Sequence, residues 1–272
     1  MSTEWLNTDV LKKQEARITS ETERVYGKAR YGFSRFALDG IDLLLHGIHN
    51  LRNVDDSLDA TGEFKNYEMA IRTRLYYNLY HVSLTYKAVY NLIHQGYYTE
   101  AAILLRQILE TLVTLKYLHK QKDMDLLNTS WAGHYGYKGK KSKIKFITMF
   151  DSVAPGLYHH YRLLCDMAHG AFAAHLLKIR KRDYRNRTIT LDDGLVFKQQ
   201  EASYVVNQFV VYLYVHLKLM IVVFPEIPDH MPRSCAMKYH RAMSKLDKVM
   251  EVFAASDGSM DWYATVRQLW DA

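Results

Sequence analysis

The sequence predicts an all-α protein: a helical bundle with flanking helices and one small inserted β-hairpin. Three observations predict it. Apolar residues recur at the helical period over several long stretches. Only 4 prolines and 13 glycines occur in 272 residues, which leaves few points at which a helix must break. Apolar residues make up 49% of the chain, enough to bury a sizeable core. Residues 1–272 read as a single helical domain, with a core over about 67–224, an N-terminal helix over 22–52 and C-terminal helices over 234–270.

Thr22 to about Arg52 places Phe33, Phe36, Ile41, Leu44, Ile48 and Leu51 close to the helical period. Asn53–Lys65 is polar and reads as a loop. Tyr67–His94 repeats the apolar pattern through Ile71, Leu75, Leu79, Val82, Tyr86, Val89 and Ile93. Gly96 suits the left-handed residue that often follows a helix. Thr99 is expected to open the next helix, with Glu100 in its first turn, where the helix dipole favours negative charge. Thr99–Lys120 is apolar almost all round and should be central. Arg106 and Glu110 interrupt it one turn apart, a spacing that also suits a plain ion pair.

Asp123–Lys145 reads as a loop ending in a basic run, and Ile144–Phe150 as a short helix. Pro155 and Gly156 precede a helix expected to run from Leu157 to about Lys178. A second basic run spans Lys178–Arg187. Thr188–Lys198 alternates around Asp193-Gly194, the pattern of a hairpin turn. Gln200–Phe224 is the most apolar stretch and is long enough to span a bilayer. Asn207, Gln208, His216 and Lys218 interrupt it, so it reads as a buried helix and no membrane association is expected. Ser234–Ala254 and Met260–Trp270 complete the helices.

The formal net charge is +7, a modest basic excess that suits a polyanionic partner. The two cysteines, Cys165 and Cys235, build no disulfide framework, which fits a reduced, cytoplasmic setting. No Cys/His spacing resembles a zinc site, so no metal or cofactor is expected. Met1–Ala16 lacks the basic-then-apolar order of a signal peptide.

Tyr158–Gly170 concentrates the chemistry. Positions four and seven apart share a helix face, so Arg162, Asp166 and His169 form one row, with Arg162 and His169 about 10 Å apart along the axis. A cation, a carboxylate and a titratable imidazole in a row can act on a phosphate. The same three groups can equally form an ion-paired polar stripe.

Gly-Tyr-Tyr-Thr-Glu-Ala-Ala-Ile-Leu-Leu-Arg-Gln-Ile-Leu-Glu-Thr-Leu, followed some fifty residues on by Tyr-Arg-Leu-Leu-Cys-Asp-Met-Ala-His-Gly, resembles an uncharacterised bacterial family related to the HEPN superfamily. The resemblance covers about Tyr67–Leu177. HEPN ribonucleases are helical bundles that carry an Arg, four to six residues, then a His, and here six residues separate Arg162 from His169. These enzymes often have a polar residue directly after the Arg, where this chain has Leu163.

The resemblance implies a HEPN-like core over 67–224 and metal-independent RNA cleavage without a cofactor, in a toxin or antiviral defence effector acting as a homodimer. His169 then serves as acid and base, because imidazole titrates near neutral pH. Arg162 grips the phosphate through its planar fork, and Asp166 orients one or the other. Arg106 and Glu110 support the cleft from the neighbouring helix. Lys138, Lys140, Lys141, Lys143, Arg180, Lys181 and Arg182 steer the RNA backbone. The alternative is a non-catalytic helical RNA-binding or protein-assembly module that keeps the same polar row for structure or contact.

Overall fold

The computed structural model describes residues 8–27, 33–50, 66–125, 127, 146–168, 179–183, 185, 188–191, 197–225, 233–255 and 269. It is a helical bundle. Its helices are α1 (Thr8–Thr22), α2 (Phe33–Asn50), α3 (Tyr67–Gln95), α4 (Tyr98–Gln121), α5 (Phe146–Val153), α6 (Leu157–Ala168), α7 (Gln199–Val223) and α8 (Arg233–Ala255).

The core is built from α2, α3, α4 and α7. The most apolar helix, α7, packs against each of the other three. By length and composition α7 passes as a membrane span, but 78% of its apolar window is buried inside the bundle. Its polar residues are accommodated there. The Tyr212 hydroxyl donates to Gln208 Oε1 (2.7 Å), and the Tyr86 hydroxyl lies 2.8 Å from His216 Nδ1. Lys218 reaches Asp247 of α8 at 3.7 Å. A buried polar group without such a partner costs several kcal/mol on an apolar-transfer scale, on the order of 2–7, so these pairings are what let the helix stay inside.

The helix α2, expected to flank the core, is part of it. It comes close to α7 because Gly40 and Gly47 lie one heptad apart on the facing side. A Cβ at Gly40 would stand 2.6 Å from Leu213 Cδ2, and one at Gly47 would stand 2.4 Å from Met220 Sδ. Both pairs advance in the same direction, so α2 and α7 run parallel. Outside this core, α1 packs on α3, α8 on α2 and α7, and α5 and α6 on α4.

The regular α-helix expected over Thr22–Arg52 is interrupted among the described residues. The helix α1 begins earlier, at Thr8, and Glu23–Gly27 forms a π-helical segment after it. The physical reason lies across the chain, at the C-terminal end of α3. His94 Nε2 is 2.9 Å from Glu23 Oε1, the Ser34 hydroxyl donates to the same carboxylate, and the Thr19 hydroxyl donates to the His94 carbonyl (2.9 Å). Burial works to raise the Glu23 pKa, but the hydrogen bonds with Ser34 and His94 outweigh it and hold it below the usual value.

At the start of α3 the Asn66 side chain accepts from the Glu68 and Met69 backbone N–H groups. Gly96 ends α3 in the left-handed region (φ 84°), and the Tyr97 N–H bonds back to the Leu92 carbonyl (2.9 Å). That turn is so short that α4 begins at Tyr98, and Thr99 lies inside the helix rather than capping it. The result is an antiparallel α3–α4 hairpin.

The hairpin expected over Thr188–Lys198 is not supported. Asp193 and Gly194 lie outside the described residues, and Thr188–Leu191 (β2) pairs upstream with Ile179–Asp183 (β1) in a two-stranded antiparallel ladder. Four of the five residues of β1 are charged, which hides the strand from a hydrophobicity reading. The expected Asn53–Lys65 loop, the run of the Arg162 helix past Ala168 and most of the expected Met260–Trp270 helix lie outside the described residues. Leu269 is fully buried in the core.

Candidate functional site

Helix α6 is seated on α4 and α5 by one apolar stripe. Leu157 and Leu164 are buried, and Tyr158 and Tyr161 are half-buried against Phe150, with ring centroids 5.7 and 5.1 Å away. This i, i+1, i+4, i+7 pattern faces inward. Arg162 and Asp166 fall outside it and are exposed, as is Leu163. His169 lies outside the described residues.

Arg106 and Glu110 are brought together. Arg106 Nε is 3.3 Å from Glu110 Oε1, and both side chains are about one-fifth exposed (20% and 23%). The link from α6 to this pair comes from Tyr161, not Arg162: the Tyr161 hydroxyl donates to Glu110 Oε1 at 3.0 Å. Burial raises the Tyr161 pKa well above its usual value, and hydrogen bonding with Cys165 and the Glu110 charge raise it further. Tyr161 is therefore a protonated donor at any physiological pH. Of the residues expected around one cleft, the four that are described thus divide: Arg106 and Glu110 are half-buried and joined by Tyr161, while Arg162 and Asp166 are exposed. Arg162 and Asp166 both sit on the solvent face of α6.

His160, next to this row, has its pKa lowered to about 4, first by burial and then by the neighbouring His159. Lys138, Lys140, Lys141 and Lys143 lie outside the described residues. Arg180, Lys181 and Arg182 fall on β1, with Lys181 opposite Thr190 and Arg182 opposite Ile189.

A second arrangement escaped sequence reasoning. A cleft of about 360 Å³ opens between α3 and α4, with Phe146 of α5 on its wall. Arg74, Asn78, His81 and Thr85 line it from α3, and Gln107, Glu110, Thr111 and Thr114 from α4. On each helix these positions repeat at three- and four-residue steps, so each set is one stripe. Two polar stripes therefore face each other where packed helices normally place apolar residues. The signal was present in the sequence as polar residues at the helical period, but nothing in it said that the two stripes meet. Glu110 belongs to both arrangements, joining the cleft to α6 through Tyr161.

Ser34, His94 and Glu23 have the side-chain types of a nucleophilic triad. Their geometry is different. Ser34 and Glu23 both approach Nε2 of His94, while Nδ1 meets the Tyr90 carbonyl (2.9 Å), and the serine proton goes to the carboxylate. The cluster is a structural latch. Among the described residues no group of three or more His, Cys, Asp or Glu is placed to hold a metal ion.

Residues 73–134 match the model of a family of unknown function, DUF5677. The matched stretch contains the α3–α4 hairpin from Thr73 onward, and with it every cleft residue except Phe146. No curated protein and no solved structure matches the chain.

Proposed function

We propose that this chain is a HEPN-like, metal-independent endoribonuclease in which Arg162 binds the scissile phosphate and His169 transfers the proton. The observation that carries the reading is the exposure of Arg162 on a helix whose other face is anchored. A guanidinium held out to solvent by a seated helix keeps its fork available for two phosphate oxygens. Asp166, one turn on and also exposed, is placed on the same row to orient its neighbours. His169 enters from the sequence, one further step along that row. The 2′-hydroxyl attacks the adjacent phosphorus as a base removes its proton, leaving a 2′,3′-cyclic phosphate and a 5′-hydroxyl. The lysine and arginine runs serve the RNA backbone.

The test is purified protein incubated with total RNA in the presence of a chelator, beside His169→Ala and Arg162→Lys. Wild type should cut and leave cyclic phosphate ends. His169→Ala should abolish cutting with the fold intact, and Arg162→Lys should lose most of it, because lysine keeps the charge but not the fork. Full activity in His169→Ala, or arrest by the chelator, refutes the mechanism.

A second reading, a non-catalytic RNA-binding or assembly module, is favoured by one observation: the polar cleft lies on α3 and α4, and its lining does not include Arg162 or Asp166. Salt-dependent RNA binding without cleavage would establish it over the first.

A further inference from the structure

We infer that the α3–α4 cleft is a nucleobase pocket, which takes one unstacked base of a single-stranded RNA. This rests on the proposed RNA reading for the source of the base, but not for the chemistry of the pocket. Four features of the cleft point to a base.

It offers two carboxamides, Asn78 on α3 and Gln107 on α4. A carboxamide presents a donor and an acceptor side by side, the pattern that pairs with the edge of a base, adenine above all. The Asn78 carboxamide is under-used: its Oδ1 is buried and, among the described residues, has no hydrogen-bond partner. Rotating the amide by half a turn would bring that oxygen to where the amide nitrogen now lies.

The threonines add acceptors. The hydroxyls of Thr85 and Thr114 already donate to the carbonyls of His81 (3.0 Å) and Glu110 (2.7 Å), so what they keep for a ligand is oxygen lone pairs.

The wall carries an aromatic ring that is 39% exposed, Phe146, stacked on Tyr161 with centroids 5.8 Å apart. A base laid on Phe146 would extend an existing stack, the usual way in which unpaired bases are held. Val82, Ile108 and Leu115 line the same space with apolar surface suited to the flat faces of a base.

Charge argues for a base attached to phosphate. Arg74 brings a cation to the lining. Glu110, the carboxylate there, is engaged by Arg106 and Tyr161. In the sequence, the lysine run Lys138–Lys145 ends one residue before Phe146. The volume, about 360 Å³, is at the lower end of small-molecule sites, roughly 300–1,000 Å³.

The experiment uses the full chain and a short 2′-O-methyl RNA strand carrying one 2-aminopurine. The strand lacks the attacking hydroxyl, so binding is read without cleavage, and 2-aminopurine loses fluorescence when it stacks. AMP, added alone and as competitor, distinguishes a free nucleotide from a strand. Gln107→Ala and Phe146→Ala are the variants. Phe146 is partly exposed and Gln107 exposed, so the fold should hold, with circular dichroism as the check. The expected result is quenching on binding, displacement by AMP, and binding weakened by roughly fivefold or more in Phe146→Ala. Gln107→Ala should weaken binding by a comparable factor and flatten any preference for adenine.

Strand binding without quenching overturns the pocket, as does affinity within about twofold of wild type in both variants; the RNA reading then still stands or falls on His169→Ala and Arg162→Lys. Failure of both the strand and AMP to bind also overturns it. Binding of AMP but not of the strand keeps the pocket and removes the RNA reading.

Discussion

Acidification should destabilise this protein through His216, and the size of the effect follows from where that histidine sits. Its side chain is fully buried, between α3 and α7. Nδ1 has two neighbours, the Tyr86 hydroxyl at 2.8 Å and the Tyr212 carbonyl at 3.3 Å. Nε2 is buried and has no hydrogen-bond partner among the described residues. An imidazolium would have to bury a second N–H and a charge with nothing to receive them. Burial accordingly lowers the His216 pKa to about 3, the Tyr212 carbonyl offsetting only part of the shift.

An unfolded histidine titrates near 6.5. Between those two values the unfolded chain holds a proton that the folded chain rejects, so stability rises with pH across the window. The contribution is complete above about pH 6.5 and is lost as the pH falls toward 3, by up to about 1.4 kcal/mol per pH unit. From pH 7 to pH 5 the loss comes to about 2 kcal/mol. At pH 5 the folded imidazole is still neutral, so this size depends on the unfolded histidine alone. The assay is urea unfolding followed by circular dichroism at pH 7, 6 and 5, for wild type and for Tyr86→Phe/His216→Leu. The double change removes both partners and leaves no new orphan. Every other titrating group, His119 and His160 included, is common to both proteins and cancels. The stability difference between them should shift by about 2 kcal/mol in favour of the variant from pH 7 to pH 5. A difference that stays constant to within about 0.5 kcal/mol would refute a neutral, buried His216.

Two further outcomes follow from close approaches of the backbone. Gly96→Ala should destabilise the fold by about 1–3 kcal/mol, because φ is 84° there and the new Cβ would meet Ile18 Cδ1 at 2.7 Å; a double-mutant cycle with Ile18→Val in urea unfolding should recover the steric part but not the backbone part. Gly40→Val should cost on the order of 1–3 kcal/mol by prying α2 from Leu213 of α7, and a melting temperature equal to wild type would show that the two helices do not meet there.

Much of the fold was legible along the chain. The apolar period marks α3, α4 and α7 to within a few residues, and Gly96 marks a stop that the backbone confirms at positive φ. The polar interruptions Asn207, Gln208, His216 and Lys218 were enough to read Gln200–Phe224 as buried rather than membrane-spanning, and Gln208 and His216 do find partners in the packed interior. Arg106 and Glu110 were readable as a pair because one turn of helix sets their spacing.

The rest was decided by which faces meet. Periodicity tells which side of a helix is apolar, not which helix it will face or at what rotation. Membership of α2 in the core depends on Gly40 and Gly47 meeting Leu213 and Met220, residues some 170 positions away. The break at Glu23–Gly27 depends on His94 at the far end of α3. Tyr161 rather than Arg162 reaches Glu110 because α6 turns its apolar stripe, Leu157 to Leu164, toward α4 and α5, which carries the neighbouring charges out to solvent. The cleft exists only because the polar stripes of α3 and α4 come face to face across their hairpin. The sequence alone determined most of the helices and which side of each is apolar. The pairing of those faces, and with it the pocket, came from tertiary packing, because contacts between distant segments are set by the fit of whole surfaces and leave no local pattern in the chain.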